Sequence, residues 1–522
     1  MDPRVAAAWA LLPDYLGQHV LVSASSLVLG LAVSLPLAVA ASRSAALRWP
    51  TLAAASLVQT IPGLALLALF YPLLLALSAL SRTLFGHGFA ALGFLPSLLA
   101  LSLYSMLPIL RNGVAGLTGV DPAVVEAAKG VGMTDRQRLF TVELPLAAPV
   151  IMAGVRTAAV WTIGAATLAT PVGQTSLGNY IFSGLQTENW VFVLFGCAAS
   201  AGLALIADQL LGLIESGLAK RRRWRVATGA IGLAIGTLVA LTPLVGVGGG
   251  QARYTIGAKN FTEQYILADL IADRLEAEGA VVSRKDDLGS SIAYDALKAG
   301  EIDAYVDYSG TLWANVLKRT DNPGRAAVLA ELTRTLKARD GVVVLGSLGF
   351  EDAYALAMRR SQAEALHIRT LDDLAAHAGQ LTLGADLEFL SRPEWRSVRE
   401  AYGLAFKRQV QYQPTFMYRA LESGQVDVIS AFSSDGRIAA DDLVLLADPR
   451  QALPPYDAVL LVSPKRAADP KLVAALRPLV GAISLTEMQR ANLSVDRDKA
   501  SPAQAAKILA TQLDQQVGAR LH

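Results

Sequence analysis

EAAKGVGMTDRQRLFTVELP, Glu126 to Pro145, is the stretch that decides how this chain is read. It is charged and helix-forming, yet it lies between long apolar runs, so it is expected to be a loop held at the face of a membrane. Ala127 and Ala128 would give a helix a smooth face, and Gly132 would permit a tight turn where two helices meet. Pro145 is expected to break the pattern before the next apolar run.

The sequence to either side is of two kinds. Of 522 residues, those up to about 247 are rich in Leu, Ala, Val and Gly, and the remainder carries most of the charge. By length alone the chain could hold about three or four domains. The overall 53% hydrophobic content and net charge of +2 therefore average two different materials. Neither half shows a basic face with interleaved aromatics, so no nucleic-acid partner is expected. Cys197 is the one cysteine and sits in an apolar run, which rules out a disulfide within the chain. The opening MDPRVAAAWALLPDY lacks a basic region followed by a small-residue cleavage site. No cleaved signal peptide is expected, and the later spans would do the targeting.

A spanning helix needs about 20 mostly apolar residues. Six segments qualify: roughly Val20 to Ala41, Leu52 to Leu77, Phe89 to Leu110, Ala147 to Ala169, Trp190 to Ile214 and Val226 to Val247. Arg43 and Arg48 follow the first; Arg111, Lys129, Arg136 and Arg138 follow the third; Lys220, Arg221, Arg222, Arg223 and Arg225 follow the fifth. The opposite side has only Arg4 and Arg82. This bias puts the 126–145 loop in the cytoplasm, the N-terminus outside, and everything after about residue 248 outside. Pro36, Pro62, Pro72, Pro96 and Pro108 are expected to interrupt helices, and Gly63 and Gly164 to let helices approach closely. Arg156 and Asp208 both read as near the cytoplasmic end, where pairing and snorkelling to water are alternatives.

The pattern Glu126-Ala127-Ala128, Gly132, Val142-x-Leu144-Pro145 resembles the EAA loop of bacterial ABC import permeases. The resemblance implies that these residues couple the chain to a cytoplasmic ABC ATPase. It also implies that two copies of this chain assemble in the bacterial inner membrane.

Gly246, Gly248, Gly249 and Gly250 suggest a flexible tether, with a linker at 248–252. From Arg253 the texture becomes apolar strands alternating with amphipathic helices, an α/β pattern. YTIGA, AVVSR, IDAYV, LTLGAD and VDVIS read as strands, with helices beginning near Thr262 and Ser290. The segment ALKAGEID (Ala296 to Asp303) is echoed by ALESGQVD (Ala420 to Asp427), and Ile256-Gly257-Ala258 by Leu383-Gly384-Ala385. Each long echo reads as a helix end, a glycine cap and the start of a buried strand. Two lobes of similar build follow, at about 253–350 with 457–522, and 351–456, an architecture suited to closing around a ligand.

The segments KNFTEQYILADLIADRLEAEG, GEIDAYVDYSGTLWANVL, YRALESGQVDVISAFSSDGRI and LADP with LPPYDAVLLV are similar to the binding proteins of osmoprotectant importers. These take glycine betaine, choline, carnitine and related compounds, and fusion of permease and binding protein occurs among them. The resemblance implies an all-α transmembrane permease of about six helices (1–247) fused to a two-lobed α/β domain of the periplasmic-binding-protein type (type II, 253–522). Glu351-Asp352 stands where relatives commonly carry asparagine and threonine, which leaves the ligand's identity open.

Five residues beyond the aspartate of each echo stand Tyr308 and Phe432, at the strand edge where open α/β sheets bind ligands. Aromatic rings there could hold a quaternary ammonium by cation–π attraction, each contributing roughly 0.5 to 2 kcal/mol. Phe261, Tyr354, Phe389 and Tyr456 are further candidates by neighbourhood, with plain core packing as the alternative for every ring. Ser309-Gly310-Thr311 and Ser433-Ser434-Asp435 stand where helix starts could offer backbone N–H groups to a carboxylate, or simply cap, and Thr262, at another helix start, is a further ligand-binding candidate. Arg392 could pair with a carboxylate or be a solvated surface arginine, and Asp352, Glu388 or Asp435 could favour a cation or a hydroxyl donor.

The sequence contains no phosphate-cradling GxxxxGK[ST], no HExxH and no nucleophile elbow, and its five histidines form no metal-spaced cluster. A transporter subunit without cofactor or metal of its own is expected, with ATP used by a partner. Two rival readings are a tethered sensor using the same cleft, and an importer of an amino acid or of a thione-containing betaine such as ergothioneine.

Overall fold

The computed structural model describes residues 3–187, 189–244, 252–319 and 321–520. The linker and Gln251 lie outside the described residues. Two compact units result, one built mainly from the helices before Leu244 and the other mainly from the chain after Ala252.

In the first unit, α1 (Pro3–Arg43), α2 (Ala45–Thr60), α3 (Gly63–Phe85) and α4 (Phe94–Thr118) precede a short α5 (Pro122–Gly130) and α6 (Asp135–Arg138). Then come α7 (Leu144–Ala166), α8 (Gly178–Gln186), α9 (Trp190–Ala219) and α10 (Arg223–Leu241). Six helical stretches among the described residues are long and apolar enough to cross a membrane: Arg4–Arg43, Gly63–Phe85, Phe94–Thr118, Asp135–Val172, Trp190–Ala219 and Arg223–Leu241.

Several expectations fail here. The second span is not Leu52 to Leu77, because the chain breaks at Ile61-Pro62, where both residues leave the helical region (Pro62 ψ 137°). A proline disfavours helical backbone in the residue before it, and nothing there offsets the cost. Pro36, Pro72 and Pro108 instead lie inside continuous helices and Pro96 in the first turn of α4, so of the five only Pro62 interrupts. Arg111 is on α4 rather than in the following loop, its Nη2 reaching Ser56 Oγ at 3.3 Å. A Cβ on Gly164 would meet nothing within 4 Å, and one on Gly63 would make only ordinary contact. Close approach falls at Gly154, where a Cβ would lie 2.6 Å from Asn112 Cβ and 2.7 Å from the Pro108 carbonyl oxygen. That glycine lets α7 lie against α4.

Arg156 and Asp208 pair, one of the two alternatives the sequence left open. Arg156 stands on α7 thirteen residues beyond Glu143, and Glu215, which it reaches, stands on α9 five residues before Lys220. Its guanidinium grips Asp208 through Nε and Nη2, the latter at 2.7 Å, and reaches Glu215 at 3.4 Å. The pair forms across α7 and α9 instead of snorkelling.

The second unit has two five-stranded mixed sheets. Its strands are β1 (Arg253–Lys259), β2 (Val281–Leu288), β3 (Ala304–Tyr308), β4 (Val343–Glu351), β5 (Tyr354–Arg359), β6 (Thr382–Ala385), β7 (Arg408–Gln411), β8 (Val428–Phe432), β9 (Leu443–Leu445) and β10 (Asp457–Val462). The orders β2-β1-β3-β10-β4 and β7-β6-β8-β5-β9 are the same pattern used twice. In each, the fourth strand runs antiparallel to the third. The chain leaves the first sheet at Asp352-Ala353 and returns before Asp457, and the Asp352 N–H donates to the Tyr456 carbonyl at 2.9 Å, tying the two crossings together.

The sequence echo has one physical cause in both sheets. Gly300 (φ 75°) and Gly424 (φ 74°) turn the chain out of a helix. The carboxylates of Asp303 and Asp427 then accept the N–H of Thr255 (2.9 Å) and Thr382 (2.8 Å) at the start of the neighbouring strand. Each aspartate thereby sets the register that brings its strand's last residue to the sheet edge.

Candidate functional site

Those last residues are Tyr308 and Phe432. Phe261, on the turn after β1, lies between them: its ring is 6.1 Å from that of Tyr308 and 6.5 Å from that of Phe432, nearly parallel (4°) to the latter. Register on β5 sets Tyr354 directly opposite Phe432, with ring centroids 4.8 Å apart, and Tyr456 meets Tyr354 edge-on at 5.3 Å. All five rings line one cavity of about 260 Å³ between the sheets, together with Thr262, Thr311, Asp352, Arg392 and Asp435.

Two of the rings already carry a cation: Lys259 Nζ sits 5.2 Å from the Tyr308 centroid, and the Arg392 guanidinium 5.4 Å from that of Tyr354. Lys259 is itself ion-paired with buried Asp307. Arg392 is buried rather than solvated, its Nη1 3.5 Å from both Thr311 Oγ1 and Glu394 Oε1.

One side of the cavity is acidic. Glu263 accepts from Tyr308 Oη (2.5 Å) and Asn492 Nδ2 (3.0 Å), and Asp352 accepts from Ser434 Oγ (2.6 Å). Asp435 is held bidentately by Arg437, whose guanidinium lies 3.8 Å from the Tyr418 ring centroid. Asp496 accepts from Thr262 Oγ1 at 2.6 Å. Burial pushes Glu263 up and, with Glu263 beside it, pushes Asp352 well above the carboxylate range. Burial also takes Asp496 up to about 6. Asp435 is desolvated too, but the charge and hydrogen bonds of Arg437 outweigh this and hold it low.

The 126–145 segment is a helix, a turn and a bulge. Asp121 caps α5 by accepting the Ala123 N–H (2.9 Å), Gly132 turns the chain at φ 81°, and Thr134 with Gln137 forms a capping box on α6. Ala128 is buried while Glu126 and Ala127 are exposed, so the two alanines do not share a smooth face. Pro145 does not break the pattern. The wider turn at Leu139–Glu143 leads straight into α7 with Pro145 in its first turn, where the missing N–H has no intrahelical role. Val131 (75% exposed) and Phe140 (60%) leave apolar surface on this segment.

Residues 30–220 match the family of binding-protein-dependent transport system inner membrane components. Residues 252–511 match the substrate binding domain of ABC-type glycine betaine transport systems. The permease half is 39% identical to the glycine betaine/carnitine/choline transport system permease protein OpuCB of Bacillus subtilis (strain 168), over 38% of this chain and 84% of that one. The chain belongs to the ABC importer permeases, fused to a substrate-binding domain. This importer chain is also 28% identical to the ergothioneine transport permease/ergothioneine binding protein EgtU of Helicobacter pylori (strain G27), over 86% of its own length and 81% of that protein. A solved glycine betaine/carnitine/choline ABC transporter structure shares 29% identity over 50% of this chain and 98% of that one, with a TM-score of 0.45.

Not every expected ligand residue of the importer reaches the cavity. Ser309 Oγ donates to the Pro455 carbonyl (2.8 Å) and accepts the Asp457 N–H (2.9 Å), a staple between strands. A Cβ on Gly310 would fall 2.6 Å from the Tyr456 ring, so Gly310 makes room for that ring. Ser433 Oγ accepts the Ala353 N–H and donates to the Glu351 carbonyl at a crossing, and Phe389 packs behind Tyr354 against Trp395. The side chain of Glu388 lies outside what the structure describes. Ser434 lines the cavity with Asp435, and Glu263, Arg437, Asn492 and Asp496 line it without having been expected there. The available signal was the position of Glu263 two residues after Phe261.

Proposed function

We propose that this chain is the permease and binding subunit of an ATP-driven importer of small solutes carrying a quaternary ammonium, of the glycine betaine, choline and carnitine type. The observation that carries the reading is one cavity walled by rings from both sheets with a surplus of buried carboxylate beside it. Rings attract such a cation by roughly 0.5 to 2 kcal/mol each, and a cation that cannot donate hydrogen bonds loses little on leaving water for an aromatic wall. Arg392 and Thr311, away from the acidic side, suit a ligand carboxylate.

ATP hydrolysis belongs to a separate ABC ATPase docking on the 126–145 segment, where Val131 and Phe140 supply exposed apolar surface and Glu126 an exposed charge. Two copies of the chain form the pathway, in the inner membrane, with the binding unit on the external face. No cofactor beyond the partner's ATP is needed.

A second reading is a thione-containing betaine such as ergothioneine. The near-parallel Phe261 and Phe432 rings, 6.5 Å apart, favour a flat group between them, and the relative matching both halves bears that ligand's name. Choline, glycine betaine, carnitine and ergothioneine all carry a trimethylammonium group. Titrating the purified full chain with these four, and with proline and glutamate as amino acids lacking that group, tests the proposal. Saturable binding confined to trimethylammonium compounds is expected; binding only to the unmethylated amino acids overturns it.

A further inference from the structure

The acidic side of the cavity gathers elements from all around the cleft. Glu263 comes from the first turn of helix Thr262–Ala277, Asp352 from the crossing between β4 and β5, Asp435 from the turn after β8, and Asp496 from the end of helix Leu485–Asp496. Against these four carboxylates stands the guanidinium of Arg437, bidentate to Asp435 and 3.9 Å from Asp496. Of the other cations nearby, Lys259 pairs with Asp307 and Arg392 with Glu394, while Lys499 donates to the Asp496 backbone carbonyl and its charge acts on the Asp496 carboxylate, away from Glu263 and Asp352. Asp386 also lines the cavity, but accepts the Phe389 N–H (2.8 Å) and the Ser430 hydroxyl (3.2 Å).

The remaining groups facing the cluster are neutral. Tyr308 and Asn492 donate to Glu263; Ser434 lies between Glu263 and Asp352, hydrogen-bonded to both; Thr262 donates to Asp496; Tyr418 lies beneath Arg437. Asn492 Oδ1 is buried in the cavity wall with no hydrogen-bond donor among the described residues.

Glu263 (2% exposed) and Asp352 (4%) therefore lie on either side of one serine, with no cation in contact with either among the described residues. Two buried carboxylates so placed do not both ionise; one retains a proton. We infer that the empty cleft holds a proton shared by Glu263 and Asp352, and that a cationic ligand seated on the ring wall displaces it. The ligand supplies the missing positive charge, both carboxylates ionise, and the proton leaves to solvent. The exchange selects for cations, since a neutral or anionic solute leaves the pair protonated. This inference rests on the quaternary-ammonium reading and adds a pH dependence to it.

The test is calorimetric titration of the full chain with choline, glycine betaine and ergothioneine, in pairs of buffers with different ionisation heats, between about pH 5.5 and 8. Proton release on binding is expected, with affinity rising with pH by up to about tenfold per unit where release is complete. Glu263→Gln should bind with a flat profile and no proton release between about pH 7 and 8, above the range in which Asp496 titrates, whatever its affinity. Asp287→Asn, which removes a buried carboxylate outside the cavity, should keep the slope. Should Glu263→Gln fail to fold, Asp352→Asn gives the same readout. Tight binding without buffer-dependent heat and with a flat profile in the parent protein overturns the inference and leaves the ligand reading intact. No binding by any of the three overturns both.

Discussion

The chain carries two clusters of ionisable groups, and they differ in how their carboxylates are compensated. In the membrane half, Arg156 meets Asp208 bidentately and Glu215 at 3.4 Å, so each charge has a partner within the cluster. In the cleft, Arg437 serves Asp435 and Asp496, and Lys499 also acts on Asp496, while Glu263 and Asp352 are left to neutral hydrogen-bond donors. In the first cluster the guanidinium touches both carboxylates; in the second, Glu263 and Asp352 touch no cation among the described residues. Burying a charge costs several kcal/mol unless something compensates it. The two arrangements thus assign the compensation to the fold in one case and to the solute in the other.

Removing a charge should therefore have opposite effects in the two places. The largest expected effect is in the membrane. Arg156→Leu leaves Asp208 and Glu215 without their guanidinium and should cost about 3 kcal/mol or more, read as a lower melting midpoint and less folded protein in the membrane. Adding Asp208→Leu should restore part of that loss, with Glu215 still lacking its guanidinium. A double variant no more stable than Arg156→Leu would show that the pair is not a unit, and the comparison would break.

In the cleft the sign reverses. Glu263 and Asp352 have folded-state pKa values raised by burial, so the empty folded protein holds its proton more tightly than the unfolded chain. Their contribution to stability is present at low pH and is lost as pH rises through the raised values. Asp352→Asn keeps an oxygen to accept from Ser434 but cannot ionise. The empty variant should be more stable than the parent at about pH 8 by about 1 to 3 kcal/mol, or a few degrees in midpoint, with little difference at about pH 5. It should also bind a quaternary ammonium more weakly, the familiar exchange of stability for function. A variant destabilised at both pH values would make Asp352 a structural residue.

How far these features can be read from residue order depends on whether local or distant chemistry sets them. The echo around Asp303 and Asp427 exposed Tyr308 and Phe432 because the same cap, turn and register act within a dozen residues in each lobe. The strands and the helix starts at Thr262 and Ser290 were legible for the same reason. Glu263 was not: an acid in the first turn of a helix has an ordinary role beside the helix dipole, and its burial depends on Asn492, more than two hundred residues away. Arg392 stayed open between two roles because its burial comes from neighbours as distant as Thr311 and Tyr354. The prolines failed in the other direction. A single-residue rule predicts a break at each, but packed neighbours in an apolar bundle tolerate Pro36, Pro72 and Pro108 inside helices.

The smallest effects separate the rings. Tyr308 and Tyr354 already carry Lys259 and Arg392, whereas no resident cation lies over Phe261 or Phe432 among the described residues. Phe432→Ala removes a ring face available to the ligand and should weaken binding by about tenfold to thirtyfold, the equivalent of up to about 2 kcal/mol. Tyr308→Ala should cost about tenfold, because part of that ring's attraction is spent on Lys259. Tyr308→Phe keeps the ring but withdraws the hydroxyl that donates to Glu263 at 2.5 Å and accepts from Gln264 at 3.0 Å. With one donor fewer, the Glu263 carboxylate holds its proton more tightly, and the ligand must displace it at greater cost. The substitution should therefore cost no more than about threefold at pH 8, where the proton leaves readily, and more at pH 6, which a ring acting only as a wall would not produce. Affinities for Tyr308→Phe and the parent that keep a constant ratio across that range would separate the ring wall from the acidic cluster and leave the two as independent parts of the cleft.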